Sequence, residues 1–459
     1  MALFSRKNKR ARRSPDLGKD PLLPLILRFS LPAIFSYFIS ELYNMVDTYF
    51  VGNGVGPIAI GALGAVFPVQ RLVIALSLLF AFATANRMAF HQGEGEIEEA
   101  KTTVHTGLLL NFIVMIPYTL LVFFLRWQIL PFLGAKGGLL EPAVEYVSII
   151  IWGSVFLTLS TTMARILLTL GYATLSMWLT SLGALINIVL DEIFVMRMHM
   201  GIRGAAYATV ISQIGCFLIT WIFYRRVARK RKIGFKLAFS AKRFLFLMHQ
   251  GMPSFIVESE DAVVMAILNL LLFKLGGEDG VNVMAMNTKV YMFLFVLILG
   301  FAYGMQAIIA YNTGAGNHKR IRETLHITLI LSIVAGIVST VIFYIFAESL
   351  LGIFVNDAHL ISLCVPTFRR MIIGLPLLSL YYVSVMYFTA KGYARAATIL
   401  TLLRQIMILI PLALIFVYIF NVSLFGLFNA YPLTDLIAAA IAGLILLKAL
   451  RTTEIEGYR

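Results

Sequence analysis

Asn187 and Asp191 lie four residues apart in the stretch SLGALINIVLDEIFV (181–195), where residue type and spacing first offer chemistry. On a helix the two share a face. A carboxylate beside an amide oxygen can hold a proton or a small cation. The rest of the stretch is apolar, and an aspartate at the centre of a membrane helix costs about 2.5–3.5 kcal/mol on insertion scales. Such a group persists only where it is paired, hydrated or used.

The elements that must position this pair are membrane spans. The chain has 459 residues, is 60% hydrophobic and only 13% charged, and has a mean hydropathy of +0.87. Apolar runs long enough to cross a bilayer fall at 30–51, 58–88, 102–126, 142–169, 174–197, 202–225, 248–273, 281–310, 322–346, 363–390, 395–418 and 424–447. The expected fold is an all-α integral membrane protein of twelve transmembrane helices, with little chain left for a soluble domain.

The excess of Lys and Arg (38 against 23 Asp and Glu) is a topology signal and not a nucleic-acid footprint. A cluster of six bases, Arg6 to Arg13, precedes the first span, and nine more, Arg225 to Arg243, separate the sixth from the seventh. Six crossings put both clusters on one side, which the positive-inside rule makes cytoplasmic. Both termini are therefore expected inside a cell inner (plasma) membrane protein. Residues 1–24 read as a disordered basic arm with no cleavage pattern, in reach of membrane lipid. Cys216 and Cys364 sit within spans, with no CxxC and no histidine partner, and read as small apolar residues.

The chain repeats itself. Leu31-Pro32 recurs as Met252-Pro253, Gly93-x-Gly95 as Gly314-x-Gly316, and Gly171-Tyr172-Ala173 as Gly392-Tyr393-Ala394, each at an offset of 221. Separate anchors at one offset indicate two homologous halves. With six helices each, the halves share one orientation and are related by a pseudo-two-fold axis along the membrane normal. The expected division is an N-terminal lobe at 25–225, a cytoplasmic linker at 226–247, a C-terminal lobe at 248–448 and a tail at 449–459.

At a rise of about 1.5 Å per residue, Asp47 falls about 6 Å, Asp191 about 9 Å, Thr209 about 10 Å and Asn187 about 15 Å inside the outer ends of their spans. Four polar side chains from three helices thus share one slab. Glu41 and Arg71 come out near mid-depth as a compensating pair, which leaves no base of the first half at the depth of Asp47 and Asp191. Two carboxylates in a poorly solvated pocket cannot both ionise cheaply, so one would hold a proton or share a cation; two hydrated carboxylates at the interface is the plainer alternative. In the second half Glu258, Glu260, Asp261 and Asp435 face Lys289, Arg369, Arg370 and Arg404. Structural pairing and a second ion or substrate site are both open there. Tyr43, Gln213, Tyr291, Tyr381 and Tyr382 are candidates to line a cleft between the halves.

The runs LYNMVDTYFVG, NIVLDEIFV, MGIRGAAYATVISQ and AYNTGAGNHKRIRE, in this order, resemble the multidrug and toxic compound extrusion (MATE) family across about Leu31 to Leu447. The resemblance implies an efflux antiporter with a proton or Na+ site on Asp47, Asn187, Asp191 and Thr209, acting as a monomer on a small organic substrate, with no cofactor beyond the coupling ion. The tenth span lacks the aspartate some members place there, and ANRMAFHQGEGEIEEA departs from the usual run of small residues. A lipid-linked oligosaccharide flippase of a related superfamily is the alternative; it would need cations such as Arg71, Lys289, Arg369 and Arg370 for a diphosphate. No GxxxxGK, HExxH or GxSxG is present, which argues against direct ATP coupling and against an enzyme.

Overall fold

The structure is a computed structural model that describes residues 15–55, 57–133, 135, 137–231, 241–353 and 358–457. Within helices some side chains, those of Asp47 and Asp261 among them, also fall outside the described residues. Twelve long helical units follow in order: α1 (Leu22–Gly54), α2 (Pro57–Glu94), α3 (Ile97–Phe132), α4 (Leu140–Thr169), α5 (Ala173–Arg197) and α6 (Gly201–Lys230) form the first lobe. The second lobe holds α7 (241–276), α8 (Asp279–Gly314), α9 (His318–Ile345), α10 (Ala358–Ile372 with Leu375–Lys391), α11 (Ala394–Tyr418) and α12 (Leu424–Arg451). α7 and α8 meet without a loop at Gly277, whose φ of 59° only a residue without a Cβ adopts readily. Among the twelve, α7 is exceptional in packing three acids into residues 258–261.

Helices exceed the apolar runs because polar flanks continue the turn beyond the hydrocarbon; the 33 residues of α1 span about 50 Å against a core of about 30 Å. α10 departs from a single straight span. It bends by 49° at Gly374, where the sequence Gly-Leu-Pro removes a side chain and then an N–H donor.

The lobes meet where α2 crosses α8 at one end of the bundle. A Cβ on Gly93 would fall 1.8 Å from the Tyr311 carbonyl oxygen, and one on Gly314 would fall 1.9 Å from that of Phe90. Adding 221 converts Gly93 into Gly314 and Phe90 into Tyr311. The two contacts are therefore images of each other, so the pseudo-two-fold axis passes between them. From this crossing the interface runs inward through Asn86 Nδ2 donating to Gln306 Oε1 (3.1 Å), then Phe82 against Tyr303 (4.7 Å between ring centres) and Tyr37 stacked on Tyr303 (5.4 Å). Arg165 lies 3.9 Å over the Phe82 ring and donates to the Tyr303 carbonyl.

Residues 15–21, expected within a disordered arm, instead strap this end shut; residues 1–14 lie outside the described residues. Leu17 is buried, and its carbonyl accepts from Asn312 Nδ2 (3.1 Å) and Arg320 Nε (2.9 Å). Pro15 covers Gly171 of the first lobe. Hydrogen bonds from the second lobe satisfy a backbone carbonyl that a free arm would leave to water, and Pro15 adds apolar contact with the first lobe.

Candidate coupling site and inter-lobe cleft

In the first lobe, α5 and α6 pack side by side and bring Asn187, Asp191 and Thr209 together, all buried, with Asp191 at 0% exposure. Neighbours fix the Asn187 amide. With Nδ2 toward the carboxylate it donates to Asp191 Oδ2 at 2.7 Å, while its oxygen accepts from the Thr209 backbone N–H at 3.0 Å. The opposite orientation gives only a 3.4 Å contact to Thr209 Oγ1 and sets two acceptors face to face, so the first is preferred. Thr209 Oγ1 donates to Ala205 O (3.0 Å), which leaves its lone pairs to accept. α1 packs along α5, but the Asp47 side chain lies outside the described residues.

Immediately after Asp191 the helix widens into a π turn, Glu192–Arg197. A π turn inserts one residue and rotates the rest of the helix about its axis. Here it carries Glu192 out to an exposed pair with Arg197 at 2.7 Å, while Asp191 stays buried.

Between the lobes, Arg71 Nη1 stands 3.5 Å from Glu258 Oε2, with side-chain exposures of 21% and 14%. Sequence reasoning had assigned Arg71 to Glu41 within one lobe and did not foresee a pair across two. Glu260, two residues on and so rotated by about 200°, is buried in the second lobe within electrostatic reach of Tyr381. The Asp261 side chain lies outside the described residues. Lys289, expected as a partner for these acids, is exposed and makes no ion pair among the described residues.

In the second lobe the charge is closed internally. Arg404 bonds Asp435 Oδ1 through Nη2 and Nε, both at 2.9 Å, with the pair 4% and 1% exposed. Gly374, at the bend of α10, makes room for it: a Cβ there would lie 2.6 Å from Asp435 Oδ2. Arg404 also sits in a π turn, Leu403–Leu409. Tyr381 donates its hydroxyl to the carbonyls of Leu400 (2.7 Å) and Thr401 (3.0 Å) just before that turn. Tyr291, Tyr381 and Tyr382, expected as cleft residues, are buried within this lobe in the structure, near Arg404. Tyr43 and Gln213 are half-buried, Gln213 packed over Gly153.

Of the four cations named for a diphosphate, the three arginines are engaged elsewhere, while Lys289 is exposed. Arg71 faces Glu258, Arg369 Nε donates to Tyr344 O (3.0 Å) and Arg370 Nη1 to Phe425 O (3.4 Å).

A family profile described as MatE matches residues 32–193 and 253–415, one segment in each lobe. The chain belongs to the MatE family. Among its relatives, the multidrug export protein MepA of Staphylococcus saprophyticus is 24% identical over 432 residues, covering 93% of this chain and 94% of that protein. MepA of Staphylococcus aureus strain MRSA252 is 24% identical over 416 residues, covering 89% of each. Of the solved structures, a MOP superfamily transporter from Pyrococcus furiosus, described as having a binding pocket of reversed polarity, superposes with a TM-score of 0.90 at 25% identity, over 95% of this chain and 98% of its own. An outward-facing multidrug resistance MATE family transporter gives 0.89 at 25% identity, with the same coverage. This MatE protein thus shares the twelve-helix, two-lobe architecture of MATE transporters along nearly its whole length.

Proposed function

We propose that the protein is a secondary antiporter that exports amphipathic, cationic organic molecules from the cell in exchange for protons or Na+, by alternating access. Family membership supports transport of a small molecule, and the MepA relatives are named for multidrug export. One observation carries the coupling: a fully buried carboxylate, Asp191, hydrogen-bonded by the Asn187 amide and set beside the lone pairs of Thr209. Neutral oxygens around an acid suit a proton or Na+ that comes and goes.

The charge distribution supports a plasma-membrane protein with both termini in the cytoplasm. The end strapped by residues 15–21 and closed at Gly93 and Gly314 is then the cytoplasmic end, and Arg71 and Glu258 face a cleft toward the outside. Filling the Asp191 site would change repulsion and packing between α1 and α5, and so the cleft between the lobes. Proteoliposomes under separately imposed pH and Na+ gradients test this reading. Uptake of a cationic dye that responds to one gradient supports exchange; uptake indifferent to both removes it.

A further inference from the structure

We infer that His91, Glu94 and Glu96, at the turn between α2 and α3, form a binding site for a divalent transition metal of the Zn2+ class. His91 Nδ1 lies 3.0 Å from Glu94 Oε2 and 3.2 Å from Glu96 Oε2, and one ligand atom from each residue falls within 4.8 Å of the others. Metal bonds of about 2.0–2.2 Å at tetrahedral or octahedral angles separate neighbouring ligand atoms by about 2.8–3.6 Å. The imidazole and the two carboxylates are spaced as ligands of one ion.

Comparison with the second lobe shows that the turn does not require these residues. At the 221 offset their counterparts are Asn312, Ala315 and Asn317. Asn317 caps α9 by accepting from Arg320 N (3.1 Å), and Asn312 holds the strap at Leu17. Glu96 occupies the same N-cap position before α3 yet makes no capping hydrogen bond; its carboxylate turns back to His91 instead. Glu96 thus forgoes the cap that its counterpart Asn317 makes, and its carboxylate joins His91 and Glu94 instead.

His91 is buried, whereas the Glu94 and Glu96 side chains are 33% and 56% exposed, so an ion reaches the site from solvent and keeps open positions for water. Nearby Arg87 is held over the rings of Phe90 and Phe246, at 4.5 and 5.1 Å, rather than bonded to either carboxylate. A neutral imidazole with two carboxylates suits Zn2+, Co2+ or Mn2+ better than Ca2+. The site also flanks Gly93, at the inter-lobe crossing.

The competing arrangement is a protonated His91 shared by two carboxylates, which has the same spacing and binds no metal. Full-length protein stripped with chelator is titrated with Zn2+ by equilibrium dialysis and with Co2+ by visible absorption. One ion per chain is expected, weakened at least ~10-fold in both His91→Asn and Glu96→Gln and unchanged in His359→Ala, which removes the exposed His359–Asp279 pair. Because Glu96 is exposed on a turn, its variant folds even where the histidine variant does not. Absence of stoichiometric binding in the native chain, or equal binding by Glu96→Gln, overturns the site. The readout is binding, so it stands or falls apart from the transport reading.

Discussion

The two lobes treat a buried aspartate in opposite ways. Asp435 in the second lobe is clamped by Arg404, with both partners inaccessible to water, whereas Asp191 in the first is held by an amide and neighboured by a hydroxyl. A buried ion pair gains little net stability but is costly to break. A carboxylate held by neutral groups keeps its protonation and its ligands changeable. Asp191 immediately precedes a π turn in α5, and Arg404, the partner of Asp435, lies within one in the equivalent helix α11. The same backbone device thus stands beside a closed ion pair in one lobe and, on the function proposed above, beside an exchangeable charge in the other.

The largest effect should come from breaking the fixed pair. Arg404→Ala strands Asp435 in the core and is expected to cost about 3–5 kcal/mol; replacing both residues, as Arg404→Met with Asp435→Leu, should recover most of that loss. Thermal unfolding in detergent measures both. Equal stability of the single and double variants would mean that the pair is not closed.

Where the lobes are equivalent, matched changes should cost alike. Gly93→Ala and Gly314→Ala each drive a methyl into a facing carbonyl and are expected to destabilise by about 1–3 kcal/mol each, because the lobes must separate to admit it. A large difference between them in unfolding midpoint would break the symmetry argument.

A smaller effect belongs to a feature of one lobe alone. Arg320→Ala removes donors to the Leu17 and Asp20 carbonyls and should loosen residues 15–21 by about 1–2 kcal/mol. Faster amide hydrogen exchange there, with the helices unchanged, is the expected result.

Much of the fold was legible in the sequence. The 221 offset foretold the two lobes, but it marked Gly93 and Gly314 only as repeat anchors; that they face each other's lobe appears only in three dimensions. That Asn187, Asp191 and Thr209 come together could be read from helical spacing and depth, since a straight helix converts sequence distance directly into position. The features that escaped needed three dimensions. Arg71 meets Glu258 across the lobes, a distance no single helix encodes. Neither π turn has a Gly or Pro signal within it. Tyr381 resembled a cleft residue because aromatic type does not reveal direction; its hydroxyl is instead spent on backbone carbonyls near the α11 π turn. The bend at Gly374 was visible as Gly-Leu-Pro and was passed over within a long apolar run.

The smallest change in stability should accompany the largest change in function. Asp191→Asn keeps the shape and an acceptor for Asn187, so folding should shift by less than about 1 kcal/mol. The decisive measurement is gradient-driven export of a cationic dye from proteoliposomes holding native protein, Asp191→Asn, or the Arg404→Met, Asp435→Leu double variant. Export should vanish in Asp191→Asn and persist in the double variant. Native rates in Asp191→Asn, or loss of gradient response in a folded double variant alone, would show that the exchangeable charge lies in the other lobe.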